Sequence, residues 1–295
     1  MPRADAGGAA GNLRGAGFMV LAMAGFALED MFLKSAAGHM PVGQVLALFG
    51  AFGTLGFLLM ARLRGEPLLV PEMTGCGMLR RAVFESGARL FYLLAIALMP
   101  LTNASAILQA TPLVVVAGAA LVFGERVGFA RWAAIWAGFA GVLLILRPGT
   151  EGFDRAAVFA VLGTLGFAAR DLATRAAPRG LSTAQIGICG LSVLVPTGLA
   201  VLAITGGAVL PQPAGLALVG AGSLIGVAAY AFLTAAMRTG EVSVVTPFRY
   251  TRLLFGVMLG MLVFAERPDA ATLAGSAIVL AAGLYILLTR RRPAG

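Results

Sequence analysis

Charge and histidine are what this sequence has least of. Only 12% of its 295 residues are charged, His39 is its single histidine, and Cys76 and Cys189 stand apart without pairing or metal-ligand spacing. Such a chain has little material for a zinc site or a Ser/His/Asp triad. It has no glycine-rich loop ending in Lys-Ser or Lys-Thr, so ATP-driven transport by this chain alone is not expected. It also has no carbonyl filter sequence, and any membrane-enzyme chemistry would proceed without an intramembrane histidine or metal cluster. No metal and no cofactor are therefore expected. The net charge of +9 could suggest nucleic acid, but the basic residues lie between apolar runs and form no patch or stripe. Nucleic acid is not an expected partner.

Apolar residues are abundant. They make up 59% of the chain, with a mean hydropathy of +0.92, 40 glycines and 12 methionines. Membrane helices use small residues where backbones approach closely, and a span needs roughly 20 mainly apolar residues. Runs of that kind cover about 15–34, 42–61, 78–99, 102–123 and 130–146, then 155–176, 181–205, 213–237, 242–264 and 270–289. The fold class read from them is an all-α polytopic membrane protein with ten transmembrane helices and connections too short for a soluble domain. The first run is too long for the apolar region of a cleaved signal and is read as a retained helix.

Lysines and arginines set the orientation. With the N-terminus inside, the cytosolic segments collect Arg3, Arg14, Arg62, Arg64, Arg80, Arg81, Arg126, Arg131, Arg175, Arg179, Arg238 and Arg290 to Arg292. The outer segments keep Lys34, Arg147, Arg155 and Arg267. Both termini are expected in the cytoplasm.

The chain also repeats. Gly25-Phe26-Ala27-Leu28-Glu29-Asp30 with Lys34 returns as Gly166-Phe167-Ala168-Ala169-Arg170-Asp171 with Arg175. Phe123, Glu125 and Arg126 return as Phe264, Glu266 and Arg267, and both matches have an offset of about 141 residues. A unit of five crossings must enter the membrane from the opposite side in its second copy. The expected domains are therefore two inverted repeats, 14–147 and 154–290, with the substrate site near the midplane between them.

Polar residues inside the spans are the site candidates. Arg249 and Arg252 lie three apart in the ninth run, just after Pro247. An intramembrane arginine costs at least about 2.5 kcal/mol on insertion scales and is expected to face a polar interior. Two like charges on one face call for a bound anion or a facing carboxylate. Glu29 and Asp30 point about 100° apart on the first helix, so one can face a cavity while the other pairs at a helix interface. Glu85 and Arg89, four apart, can neutralise each other, and Arg170 with Asp171 can serve a site or reach the cytosolic interface. Counted together, Glu29, Asp30, Glu85 and Asp171 balance Arg89, Arg170, Arg249 and Arg252, which also permits a wholly structural reading. Gln109 accompanies Thr111 and Pro112 in the fourth run. Phe84, Phe91, Tyr92, Phe167 and Tyr250 can stack on a planar solute or simply pack. Pro112, Pro196 and Pro247 signal broken helices or kinks.

These residues carry a family resemblance. Ala97-Leu98-Met99-Pro100-Leu101-Thr102-Asn103-Ala104, Pro112-Leu113 with Phe123-Gly124-Glu125, Arg131-Trp132, Gly138-Phe139-Ala140-Gly141-Val142, Arg147-Pro148, Pro247 to Arg252, and Phe264-Ala265-Glu266-Arg267 resemble the drug/metabolite transporter superfamily, EamA type. That resemblance implies ten helices in two five-helix repeats. Glu29-Asp30 ending in Lys34, with Arg131-Trp132, is similar to the bacterial group that includes S-adenosylmethionine uptake carriers and riboflavin importers. The acidic pair departs from the Trp-Ser or Asn-Asp of many members, so contacts there are not carried over.

The function expected is a secondary carrier in a bacterial-type inner membrane, moving a small polar or planar organic metabolite by alternating access. The alternatives are a membrane-embedded enzyme or lipid scramblase using the same cavity, or a non-transporting assembly partner. The expected substrate-binding residues are Arg249, Arg252, Tyr250, Gln109, Arg89, Tyr92 and Phe167, with Glu29 or Asp30 as the proton-coupling carboxylate. Protons are a possible second partner, the lipid bilayer surrounds the protein, and it acts as a monomer or homodimer.

Overall fold

The computed structural model describes residues 9–124, 127–148, 154–175 and 180–288. Arg3, Glu125, Arg126, Arg179 and Arg290 to Arg292, all used above, lie outside them. The first half contains α1 (Ala9–Ala37), α2 (Val42–Leu63), a 3₁₀ turn (Pro71–Thr74), α3 (Cys76–Leu98), α4 (Leu101–Leu108), α5 (Thr111–Phe123) and α6 (Phe129–Leu146). The second contains α7 (Ala157–Arg175), α8 (Thr183–Ser192), α9 (Leu194–Thr205), α10 (Pro213–Thr239), α11 (Val242–Val245), a 3₁₀ turn (Thr246–Tyr250), α12 (Thr251–Phe264) and α13 (Ala270–Leu288). Counting α4–α5, α8–α9 and α11–α12 as single crossings gives ten, and the described residues contain no strand.

Nine of the ten are apolar enough to be recognised as spans by composition. The exception is α3, which carries Arg80, Arg81, Glu85 and Arg89. Arg80 is exposed near its start, and Arg81, Glu85 and Arg89 are paired inside the bundle.

Three expected single helices are broken, each beside a proline. Pro112 lacks the N–H that would bond the Leu108 carbonyl, and the Thr111 hydroxyl donates to that carbonyl instead at 2.6 Å. The chain restarts as α5 after Gln109 and Ala110. Pro196 lies in the first turn of α9, after the break at Val193. Pro247 begins the 3₁₀ turn that divides the ninth crossing.

Packing repeats with the sequence. α1 lies along α10 and α3 along α7; α2 packs on α8 and α9, and α6 on α13. α1 also meets α12 as α7 meets α4 and α5. Exchanging every crossing for the one five places along maps these pairings onto themselves, so the molecule is built from two inverted five-helix repeats. Close approach explains the repeated glycine. A Cβ on Gly25 would sit 2.7 Å from the Cβ of Ala229, and one on Gly166 would sit 2.9 Å from that of Ala88. The same two-fold relation puts a left-handed cap after α5 at Gly124, φ 65°, and after α12 at Ala265, φ 52°. Around the outside, Leu55, Leu121, Trp136, Leu199, Leu224 and Leu262 are exposed and form part of a lipid-facing belt.

Candidate functional site

The breaks in the fourth and ninth crossings are repeat mates, and they face each other. Gln109 Nε2 reaches across towards the Arg249 carbonyl at 3.5 Å, the outer limit of a hydrogen bond. Between them lies a cavity of about 310 Å³. α1 contributes Met23 and Phe26, α3 Arg89, α5 Thr111, Pro112, Val115, Val116 and Ala119, and α7 Phe167, Arg170 and Asp171. Tyr230 and Leu233 of α10, Thr246, Arg249, Tyr250 and Arg252 of the broken ninth crossing, and Ile286 and Leu287 of α13 complete most of the wall. Val127 and Arg131 line it where α5 meets α6, so the cavity lies towards the end of the bundle that holds the N-terminus of α1.

A continuous run of ion pairs crosses the bundle beside this cavity. Glu29, only 1% exposed, accepts from Arg89 Nη1 at 2.5 Å. Arg89 Nε lies 3.4 Å from Glu85, which also pairs with Arg81 and Arg170, each at 3.3 Å. Arg170 holds Asp171 at 2.7 Å, and Arg81 Nε donates to the Thr174 hydroxyl at 2.9 Å. Guanidinium planes stack on rings along this run: Arg89 lies 5.3 Å from Phe49, and Arg170 lies 4.8 Å from Phe167. A separate pair joins α1 to α12, where Arg252 donates to Asp30 Oδ2 at 2.7 Å and the Tyr92 hydroxyl donates to the same oxygen at 3.1 Å.

The opposite end is closed by a latch. Lys34 Nζ donates to the carbonyls of Ile96, at 2.8 Å, and Met99, at 2.6 Å, and lies 3.8 Å from Glu266. Glu266 accepts the backbone N–H groups of Leu101 at 2.6 Å and Thr102 at 2.9 Å, capping the first turn of α4. A carboxylate is favoured there, where N–H groups have no partner within the helix. Together Lys34 and Glu266 tie α1, the α3–α4 turn and the end of α12.

Six of the seven expected binding residues, Arg249, Arg252, Tyr250, Gln109, Arg89 and Phe167, line the large cavity. Tyr92 does not; it is buried and occupied with Asp30. Glu29 lines a smaller space of about 40 Å³, and Asp30 lines neither. Phe91 stacks on Phe159 at 6.2 Å, and Phe84 is on the surface. The charge balance inferred from sequence needs correcting. Arg81 is a buried partner of Glu85 and not a cytosolic loop charge, and Arg249 has no ion pair among the described residues. Glu85 serves three arginines and does not simply neutralise Arg89. Arg170 and Asp171 line the cavity; they do not reach for the interface. The same four-residue spacing that linked Glu85 to Arg89 links Arg81 to Glu85 and would have revealed it. Thr246 and Tyr230 are cavity residues without a sequence signal beyond their depth. Lys34 sits in the last turn of α1, where the latch gives a role to what reads in the sequence as a loop charge.

Comparison with known proteins agrees with this architecture. The profile described as the EamA-like transporter family matches residues 13–147 and again residues 154–289. The chain is similar to a riboflavin transporter of Rhizobium johnstonii, 32% identical over 67% of this chain and 65% of that protein. It is 30% identical to a pseudopaline exporter of Pseudomonas aeruginosa over 92% of this chain and 95% of that one. An S-adenosylmethionine uptake transporter of Rickettsia felis is 24% identical over 95% and 94%. A solved crystal structure superposes with a TM-score of 0.65 at 20% identity, covering 93% of this chain and 99% of its own, and so shares the fold.

Proposed function

The chain belongs to the EamA-like transporter family, a family of transporters and not enzymes, and from that premise we propose that it is a secondary carrier moving a small polar or planar organic metabolite by alternating access. The observation that carries this reading is the cavity of about 310 Å³ between two broken, repeat-related helices. That volume is at the lower end of small-molecule pockets, and discontinuous helices at the repeat interface are where secondary carriers bind their solutes. The two expected repeats, 14–147 and 154–290, would rock about this site. The relatives' names point to different solutes and to both uptake and export, so neither solute nor direction is taken from them.

The positive-inside bias supports a bacterial-type inner membrane location with both termini in the cytoplasm. The cavity then faces the cytoplasm, and the Lys34–Glu266 latch seals the outer side. Glu29 and Asp30 are the candidates for coupling to protons, since each is buried against an arginine that would release it if drawn to a solute. Purified protein in liposomes tests the carrier reading. Saturable flux of a soluble metabolite, competed by its analogues, is expected; lipid movement without solute flux would replace the reading with a scramblase. If Glu29→Gln and Asp30→Asn both retain wild-type pH dependence of uptake, neither carboxylate is the coupling site.

A further inference from the structure

We propose that the cavity takes an organic carboxylate, its anionic group seated on the 3₁₀ turn Thr246–Tyr250 and its apolar or aromatic body lying against α5, α10 and α13. The inference rests on the carrier reading and adds the chemical class of the solute.

Three observations lead there. The first is charge. Around the two cavities, four carboxylates, Glu29, Asp30, Glu85 and Asp171, are matched by Arg81, Arg89, Arg170 and Arg252. Arg249 is left over: it lines the large cavity and makes no ion pair among the described residues, whereas Arg131, which also lines the cavity, is not without a partner. A cation within a bundle needs a counter-charge, and the cavity that Arg249 lines has room for one. A single guanidinium without a partner suits a monoanion better than a phosphate dianion.

The second observation is a set of idle donors around that cation. Thr246 Oγ1, the Tyr250 hydroxyl and Arg252 Nε are buried and have no hydrogen-bond partner. All belong to the same seven-residue stretch, and all three residues line the cavity. Buried polar groups are nearly always bonded, and idle donors clustered beside an unpaired guanidinium are what an oxyanion would satisfy. Arg252 is held by Asp30 and lies 5.4 Å from the Phe26 ring. The Tyr250 hydroxyl is turned into the notch left by Gly283 on α13 and must swing out of it to reach a solute.

The third is the apolar part of the wall. Val115, Val116, Leu233, Ile286 and Leu287 line the cavity and present no polar side-chain atoms, and Phe26 and Phe167 line it too. A free inorganic anion would leave this wall in water. An acid with an apolar or aromatic body would use it.

The test is binding to purified full-length protein, read as a shift in thermal unfolding, with matched pairs: 3-phenylpropionate and indole-3-acetate, and their carboxamides. Both acids are expected to stabilise the protein and both amides to be at least tenfold weaker. Losing one charge-assisted contact should weaken acid binding by about ten- to a hundredfold in Arg249→Gln, with a smaller loss in Arg249→Lys, which keeps the charge without the fork. Thr246→Val, which removes an idle hydroxyl, should fold at least as well as wild type and bind the acids several-fold less tightly. Phenyl phosphate is expected to bind more weakly than the carboxylates. Equal binding of acids and amides, undiminished acid binding in folded Arg249→Gln and Thr246→Val, preference for phenyl phosphate, or no binding by either acid at millimolar concentration would each overturn the proposal. Its failure is separable from that of the carrier reading: flux of neutral or cationic metabolites without acid binding leaves the carrier standing, whereas Arg249-dependent acid binding without flux leaves the site standing and removes the carrier.

Discussion

Glu85 is the residue on which three arginines from two helices depend. Replacing it by glutamine leaves those guanidiniums buried with too little negative charge, a change of the kind that destabilises by about 3–5 kcal/mol. Arg249→Gln removes a charge that no carboxylate among the described residues pairs with and should change stability by less than about 1 kcal/mol. Unfolding in detergent compares the two, and equal losses would put Arg249 inside the structural network. At Ala265 the φ of 52° is one that glycine adopts without strain, and its repeat mate Gly124 is glycine. Ala265→Gly is expected to raise stability by about 0.5–1 kcal/mol, which the same unfolding measurement reads. Outside the bilayer, Asp269 accepts the Thr272 N–H at 2.8 Å at the start of α13 and also pairs with Arg147. These bonds, the backbone one foremost, hold its carboxyl below the ordinary range. A depressed pKa contributes stability that is present above the unfolded value, about 4, and is lost as pH falls through the lower folded value. The first turn of α13 should therefore exchange its amides faster in that acidic window after correction for intrinsic rates, while Asp269→Asn should lack the pH-dependent step.

At the scale of the element, hydropathy made most of the fold legible. Nine crossings are plain apolar runs, and three prolines marked the three breaks. What remained hidden depended on partners remote in sequence. Arg81 looks like a boundary charge until α7 brings Arg170 and Thr174 beside it, and Lys34 looks like a loop charge until the α3–α4 turn offers two carbonyls. Periodicity reports which face of a helix is buried; it does not report which helix covers that face. The depth of Arg249 was readable from its run, but its lack of a carboxylate was not, because Asp30 could have served either arginine. The latch itself is an element-scale device. Glu266→Gln keeps an acceptor for α4 but gives up the charge that holds Lys34 and the helix N-terminus, so the sealed end should open more often. Hydrogen exchange at Leu101 and Thr102 should rise in that variant, and unchanged protection there would show that apolar packing alone keeps this end shut.

At the scale of the whole molecule, the packing pattern is unchanged when the repeats are exchanged, while the chemistry is not. Arg170 of the second repeat packs against Glu85 of the first, and the equivalent positions set Glu29 of the first repeat against Gly226 of the second. On the proposed carrier mechanism, a symmetric scaffold would give two inverted states of similar packing energy, and the asymmetric charges would bias the choice between them. The structure has the state with the cavity towards the terminal end and the Lys34–Glu266 end shut. Alternating access requires the reverse state to be reachable and the two openings to be mutually exclusive. The most direct measurement places one cysteine in the cavity wall, Leu233→Cys, in a chain with Cys76→Ser and Cys189→Ser, and follows its reaction with a membrane-impermeant maleimide from each side. The account predicts labelling from the cytoplasmic side alone at rest, with outside labelling appearing and cytoplasmic labelling falling when Glu266→Gln is added. Labelling from both sides at once in the resting protein, or a gain outside with no loss inside, would describe a pore and would contradict it.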